Sequence, residues 1–172
     1  RPVRIEFPGA SYHVSSKSRE EQIIFIDDDD RGVFLNVLEN VISRFDWLVH
    51  SFALLDEHYD LVVEVPAANL SKGMRQLNGV YTQHFNRRHG LEGPIFRGRF
   101  KSILFEKKNY LLPLCRYVVT GPMRSGNLRN YSSYKWSSYR ALAGQVKKPN
   151  YLYSTEVWSY FAKRDKDAQR KY

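Results

Sequence analysis

Residues 47–65, Trp47-Leu48-Val49-His50-Ser51-Phe52-Ala53-Leu54-Leu55-Asp56-Glu57-His58-Tyr59-Asp60-Leu61-Val62-Val63-Glu64-Val65, contain two apolar runs separated by one polar pair. The pair Asp56-Glu57 reads as a turn, which makes the two runs an antiparallel hairpin. In the second run His58, Asp60, Val62 and Glu64 fall on one side of an extended chain, and Tyr59, Leu61 and Val63 on the other. His58 and Asp60 are two strand rises apart, roughly 7 Å at Cα. An imidazole and a carboxylate so placed can share one divalent cation, and nitrogen with oxygen suits manganese, magnesium or zinc. The plain alternative is an edge strand carrying solvated polar residues.

On the N-terminal side, Pro2 to Gly9 forms a short arm and residues 11–16 alternate as a first strand, with His13 on it. A lone strand histidine is more often packed than catalytic. Asp27 to Asp30 precede a helical pattern of Val33, Phe34, Val37, Leu38, Val41, Ile42 and Phe45, so the carboxylates are expected to cap that helix. On the C-terminal side Pro66 ends the hairpin, and Asn69 or Ser71 is placed to cap a long helix with Leu70, Met74, Leu77, Tyr81 and Phe85 inward. Gly79 within it suggests a close approach or a tolerated glycine. Residues 95–105 read as a strand whose Arg97, Arg99 and Lys101 make one cationic face, with Phe96 and Phe100 best assigned to core packing. The next helix should start near Asn109 or Tyr110, because Pro113 is tolerable only in a first turn. Tyr117 falls off its apolar stripe, which alone marks only an amphipathic tyrosine at a core margin. Residues 131–139 form a serine- and tyrosine-rich loop, 145–150 a linker, 154–161 a short helix, and 163–172 a charged tail expected to fray.

The 172 residues suffice for one well-cored domain, placed at 1–144, with 145–172 as an extension. No apolar run approaches the ~20 residues of a bilayer span, and the single Cys115 excludes an internal disulfide. With no export signal visible, a cytoplasmic protein is expected. The net charge of +9 is uneven: residues 1–86 hold 8 Lys+Arg against 13 Asp+Glu, and residues 87–172 hold 19 against 5. Such a polycationic half suits nucleic acid. A membrane surface is excluded as partner because no stretch joins a basic face to a large apolar one.

Several blocks in order resemble the REP-associated tyrosine transposases, within the HUH single-tyrosine superfamily. They are residues 8–14, the strand with His58-Tyr59-Asp60, residues 77–90, residues 96–101, Arg116-Tyr117 followed by residues 121–126, and residues 136–139. The resemblance covers roughly residues 1–144 and implies an α+β, ferredoxin-like antiparallel sheet with helices packed on it, to which the residues after 144 add a C-terminal helical extension. It also implies a partner, single-stranded or hairpin DNA. By the resemblance, His58 and Asp60 occupy the positions of ligands to a divalent metal, Mg or Mn, and Tyr117 that of the nucleophile. That chemistry cleaves and transfers a DNA strand through a 5′-phosphotyrosine intermediate. The DNA-binding set is Arg75, Arg87, Arg88, Arg97, Arg99, Lys101 and Arg116, and either a monomer or a homodimer is compatible with it.

Three places depart from the family pattern, the first being the turn before His58, usually Pro-Asn, which is Asp56-Glu57 here. Histidine is usual where Asp60 stands, and a polar side chain is common where Gly121 stands, four residues after Tyr117. One alternative reading is therefore a non-catalytic protein that binds repeat hairpins, and the basic and aromatic strands also suit a further alternative, an RNA-binding ferredoxin-like domain.

Overall fold

The computed structural model describes residues 3–20, 22–126 and 128–172. The 47–65 stretch folds as the hairpin its pattern dictates, β2 (Leu48–Leu55) and β3 (His58–Val65). With β1 (Ala10–Lys17), α1 (Asp28–Phe45), α2 (Leu70–His89) and β4 (Lys101–Phe105) they follow a βαββαβ order. The four strands make one antiparallel sheet, ordered β2-β3-β1-β4. This is the ferredoxin-like α+β arrangement. Because β3 is hydrogen-bonded on both sides, the edge-strand alternative for His58 and Asp60 fails.

The period-2 alternation divides the sheet into two unlike faces. Tyr12, Val14, Phe52, Leu54, Tyr59, Leu61 and Val63 join Phe34 and Leu38 of α1 and Met74, Leu77 and Tyr81 of α2 in the main core. Burying each of these large side chains is worth roughly 1.5–3 kcal/mol. On the other face Ala53, Leu55 and Val62 meet Leu111, Cys115 and Val118 of α3 (Lys107–Val119), a smaller patch that covers part of the sheet. Cys115 is buried there, and burial pushes its thiol up to about 12, so it is inert.

The caps follow electrostatics. Asp27 accepts the Asp30 N–H at 3.0 Å, and Asp28, Asp29 and Asp30 fill the first turn of α1, as expected. Neither Asn69 nor Ser71 caps α2 with its own side chain. Asn69 Oδ1 instead accepts the Trp47 indole N–H at 2.8 Å, and the cap comes from the arm, where Glu6 Oε1 accepts the Ser71 N–H at 3.1 Å. The close approach to α2 is at Gly73, where a Cβ would lie 2.1 Å from Trp47 Cζ2, whereas Gly79 faces open space.

Three further expectations change. The predicted strand over 95–105 is regular only from Lys101, since Gly98 at φ 65° breaks the extended run. α3 starts at Lys107, with Pro113 in its interior. Pro113 and Asn109 are both exposed, which places the missing N–H partner of the Asn109 carbonyl on the outer side of the helix. The 163–172 tail is packed rather than frayed, as α7 (Asp165–Lys171) buries Ala168, while the short helix expected before it is α6 (Thr155–Ser159), which buries Val157 and Trp158, and Leu152 pairs with Val49 of β2. The Trp158 indole N–H donates to the Leu142 carbonyl at 2.9 Å, in α5 (Tyr139–Leu142). The Trp136 indole N–H reaches Asp28 Oδ1 at 2.9 Å, tying the 131–139 segment to the start of α1.

Candidate active site

Where α3 leaves the sheet uncovered, β1 and β3 present their polar residues. Their register pairs Ser15 with Asp60 and Lys17 with His58, which makes His13 a diagonal neighbour of Asp60 on the same face. His13 Nε2 lies 2.8 Å from Asp60 Oδ1, and His58 Nε2 lies 3.4 Å from Asp60 Oδ2. Two imidazoles thus bracket one carboxylate that is only 6% exposed. Burial alone would raise the Asp60 pKa, but the contacts with His13 and His58 outweigh it and hold the carboxyl below its ordinary range. The carboxylate is therefore ionised at neutral pH.

Tyr117 reaches this cluster from the last turn of α3, with about half its surface exposed. Its ring meets His13 edge to face, the centroids 5.7 Å apart. The guanidinium carbon of Arg124, at the end of α4 (Gly121–Arg124), lies 3.7 Å from the Tyr117 ring centroid. Arg124 Nη1 donates to the Tyr117 carbonyl at 2.6 Å and to Thr120 Oγ1 at 2.7 Å. The tyrosine is held between an imidazole and a guanidinium.

These groups line one open cleft of ≈ 680 Å³. Lys17, Arg97, Arg99, Lys101 and Arg124 enter it as cations, against Asp60 as its carboxylate, and Ser15, Gly121 and Ser125 complete the wall. The cleft thus unites twelve residues from distant parts of the sequence around a net positive charge, the field that draws a phosphodiester.

The residues anticipated from sequence divide into two groups. His58, Asp60, Tyr117, Arg97, Arg99 and Lys101 share the cleft. Arg75 and Arg87 lie exposed on α2, against the opposite sheet face, and Arg116 lines a separate small cavity with Tyr131, Tyr139, Phe161 and Tyr172. Arg88 is held by Asp27 and Asp30, at 2.6 Å from each. Its guanidinium holds the Asp27 carboxyl well below the usual range. Sequence reasoning did not assign Lys17, Arg124 or Ser125 to the site and left His13 as a packed strand residue. The β1–β3 register and the α3–α4 corner supply them, and neither is a local pattern.

The donor set fits the divalent ion that the resemblance implies. His58 Nε2 and Asp60 Oδ2 are separated by 3.4 Å, and adjacent oxygen or nitrogen ligands of an ion bound at ~2.1 Å stand about 3 Å apart. Asp60 Oδ1 is already engaged by His13. The protein therefore offers two converging ligands, an open donor set.

A βαββαβ sheet whose uncovered face sets a helix-borne tyrosine against a histidine–aspartate cluster defines a ferredoxin-like domain with an open polar cleft. The family model described as Transposase IS200 like matches residues 7–120, and the chain belongs to that family. The fold is shared with a solved REP-associated tyrosine transposase bound to a REP hairpin, at 14% identity and a TM-score of 0.72, over 84% of this chain and 86% of that one. A candidate transposase from Deinococcus radiodurans R1 is similar at 10% identity and a TM-score of 0.48, over 69% of this chain and 95% of that one. No curated protein sequence matches. Among the described residues no helix is long and apolar enough to cross a membrane.

Proposed function

We propose that the protein cleaves and rejoins single-stranded DNA at hairpin-forming repeats, with Tyr117 as nucleophile. The observation that carries this reading is the meeting of Tyr117, the His13–Asp60–His58 cluster and five cations in one cleft. Arg97, Arg99 and Lys101 neutralise the backbone and hold the strand across the cleft. Tyr117 Oη attacks the phosphorus, so that an Oη–P bond forms as the P–O3′ bond breaks and O3′ leaves with a proton as a free hydroxyl. The 5′-phosphotyrosine link conserves the bond, and attack by a 3′-hydroxyl reverses the step and joins strands.

His13 is positioned to align Tyr117 or receive its proton, and Asp60 fixes the orientation of that imidazole, the relation of nucleophile, base and orienting group. Arg124 stands beside the same ring and neutralises negative charge developing at the phosphate. His58 and Asp60 would hold a divalent Mg or Mn ion, which when bound supplies Lewis-acid polarisation of a phosphate oxygen.

A second reading is a protein that binds such hairpins without cutting them. It is favoured by Asp60, whose Oδ1 is committed to His13, and by Gly121, which places no ligand after Tyr117. Incubation of a labelled single-stranded hairpin with Mg or Mn separates the two. A covalent protein–DNA adduct formed by the wild type and abolished in Tyr117→Phe, with binding retained, supports cleavage. Specific binding without an adduct across metals and hairpins overturns cleavage and supports the second reading.

A further inference from the structure

The sheet face beneath the start of α3 carries a second cluster, at the other end of β3 from the Tyr117 cleft. His50 belongs to β2 but has no partner in the register: Val49 pairs with Val63 and Ser51 with Val62, so His50 is the extra residue of a β-bulge. Bulges re-aim side chains. Here the imidazole is fully buried, and neither ring nitrogen has a hydrogen-bond partner. Its Nε2 lies 3.5 Å from Glu64 Oε2, at the far end of β3 from His58. Glu156, on α6, closes the group, and one ligand atom from each of His50, Glu64 and Glu156 lies within 4.8 Å of the others.

We propose that His50, Glu64 and Glu156 form a binding site for a divalent transition-metal ion such as zinc. Burial lowers the His50 pKa, a direction that the nearby carboxylates oppose, so the ring is neutral with a free lone pair. One imidazole and two carboxylates match the ligand types of a three-residue zinc site with an open fourth position. In the present arrangement Lys107 Nζ reaches Glu64 Oε2 at 2.8 Å and Glu156 Oε2 at 3.0 Å. This tethered ammonium leaves one negative charge unbalanced and both His50 nitrogens unused. A divalent ion balances both carboxylates, uses the imidazole and displaces Lys107, a third of whose side chain is already exposed. Metal binding here pins α6 to the sheet and frees the first residue of α3.

Zinc titration by calorimetry tests the site in a His58→Ala, Asp60→Asn background, which removes the ligands of the cleft. One zinc per chain is expected, lost in Glu156→Gln and in His50→Gln. Lys107→Met should tighten binding about three- to tenfold by removing a competing cation held in two partly exposed ion pairs. Zinc should also slow proteolysis of residues 145–172. The partly exposed Glu156 keeps the test valid where His50→Gln disturbs packing. Absence of zinc binding in the Lys107→Met protein, or binding indifferent to Glu156→Gln, overturns the proposal and leaves the cluster a Lys107-centred salt bridge.

Discussion

The two faces of the sheet are built from the same strands by alternate residues, yet they do different work. The α1/α2 face is a closed aromatic core in which Phe34 touches Phe25, Tyr59 and Tyr81, with ring centroids 4.5–5.3 Å apart. The α3 face is half covered, and beside its small apolar patch it keeps His13, His58 and Asp60 in an open cleft. Stability is concentrated on one side of a layer one residue thick, which allows charged and partly solvated groups to stand on the other.

Core substitutions should expose that asymmetry most strongly. Phe34→Ala is expected to lose about 3–5 kcal/mol in denaturant unfolding, while Ile103→Ala, on the exposed end of the cleft face, should stay within about 0.5 kcal/mol. Equal losses would break the division between the faces. Next comes the glycine pair of α2. Gly73→Ala forces a methyl group into the Trp47 ring and should destabilise by about 1–3 kcal/mol. Gly79→Ala meets open space and should stabilise by about 0.4–1 kcal/mol, and a thermal melt of both variants reads the contrast.

Smaller effects belong to the cleft. Neutralising Arg99 or Lys101 should weaken hairpin binding and reduce the slope of log K against log salt by about 0.7 per lost phosphate contact. The same change at Arg88, already paired within the fold, should leave that slope unaltered. Asp60 contributes an acid limb. The folded carboxyl holds its proton off to lower pH than the unfolded one, near 3.9. Its stabilisation is therefore complete above that value and is lost as pH falls through the folded pKa. Asp60→Asn should make acid unfolding shallower below about pH 4, and an unchanged acid limb would show that the His13 contact does not favour the ionised form.

Much of the fold was legible because it is written in local periodicity. The Asp56-Glu57 turn, the stripe from Leu70 to Phe85 and the acidic start of α1 each declare themselves within one element. The site was legible only in part. His58 and Asp60 declared themselves as a pair by strand alternation and Tyr117 was reached only through resemblance, whereas His13 joins them through the β1–β3 register, a relation between residues 47 apart in the chain. Arg88 looked free beside Arg87 until the fold brought Asp27 and Asp30 against it. Gly79 drew notice for its place in a helix, but only packing reveals that Gly73 is the one beneath an indole. The 163–172 tail read as solvated because its charges outnumber its apolar residues, yet Ala168 and Tyr172 find cover against the domain.

The three tryptophans occupy three different joints, each with its indole N–H committed to one acceptor: Trp47 to Asn69, Trp136 to Asp28 and Trp158 to Leu142. The protein thus carries an optical reporter at the α1–α2 junction, another on the 131–139 segment and a third on the C-terminal extension. Variants that retain one indole each would resolve, by emission wavelength alone, the order in which these joints open, and whether DNA or zinc is sensed at one of them before the others.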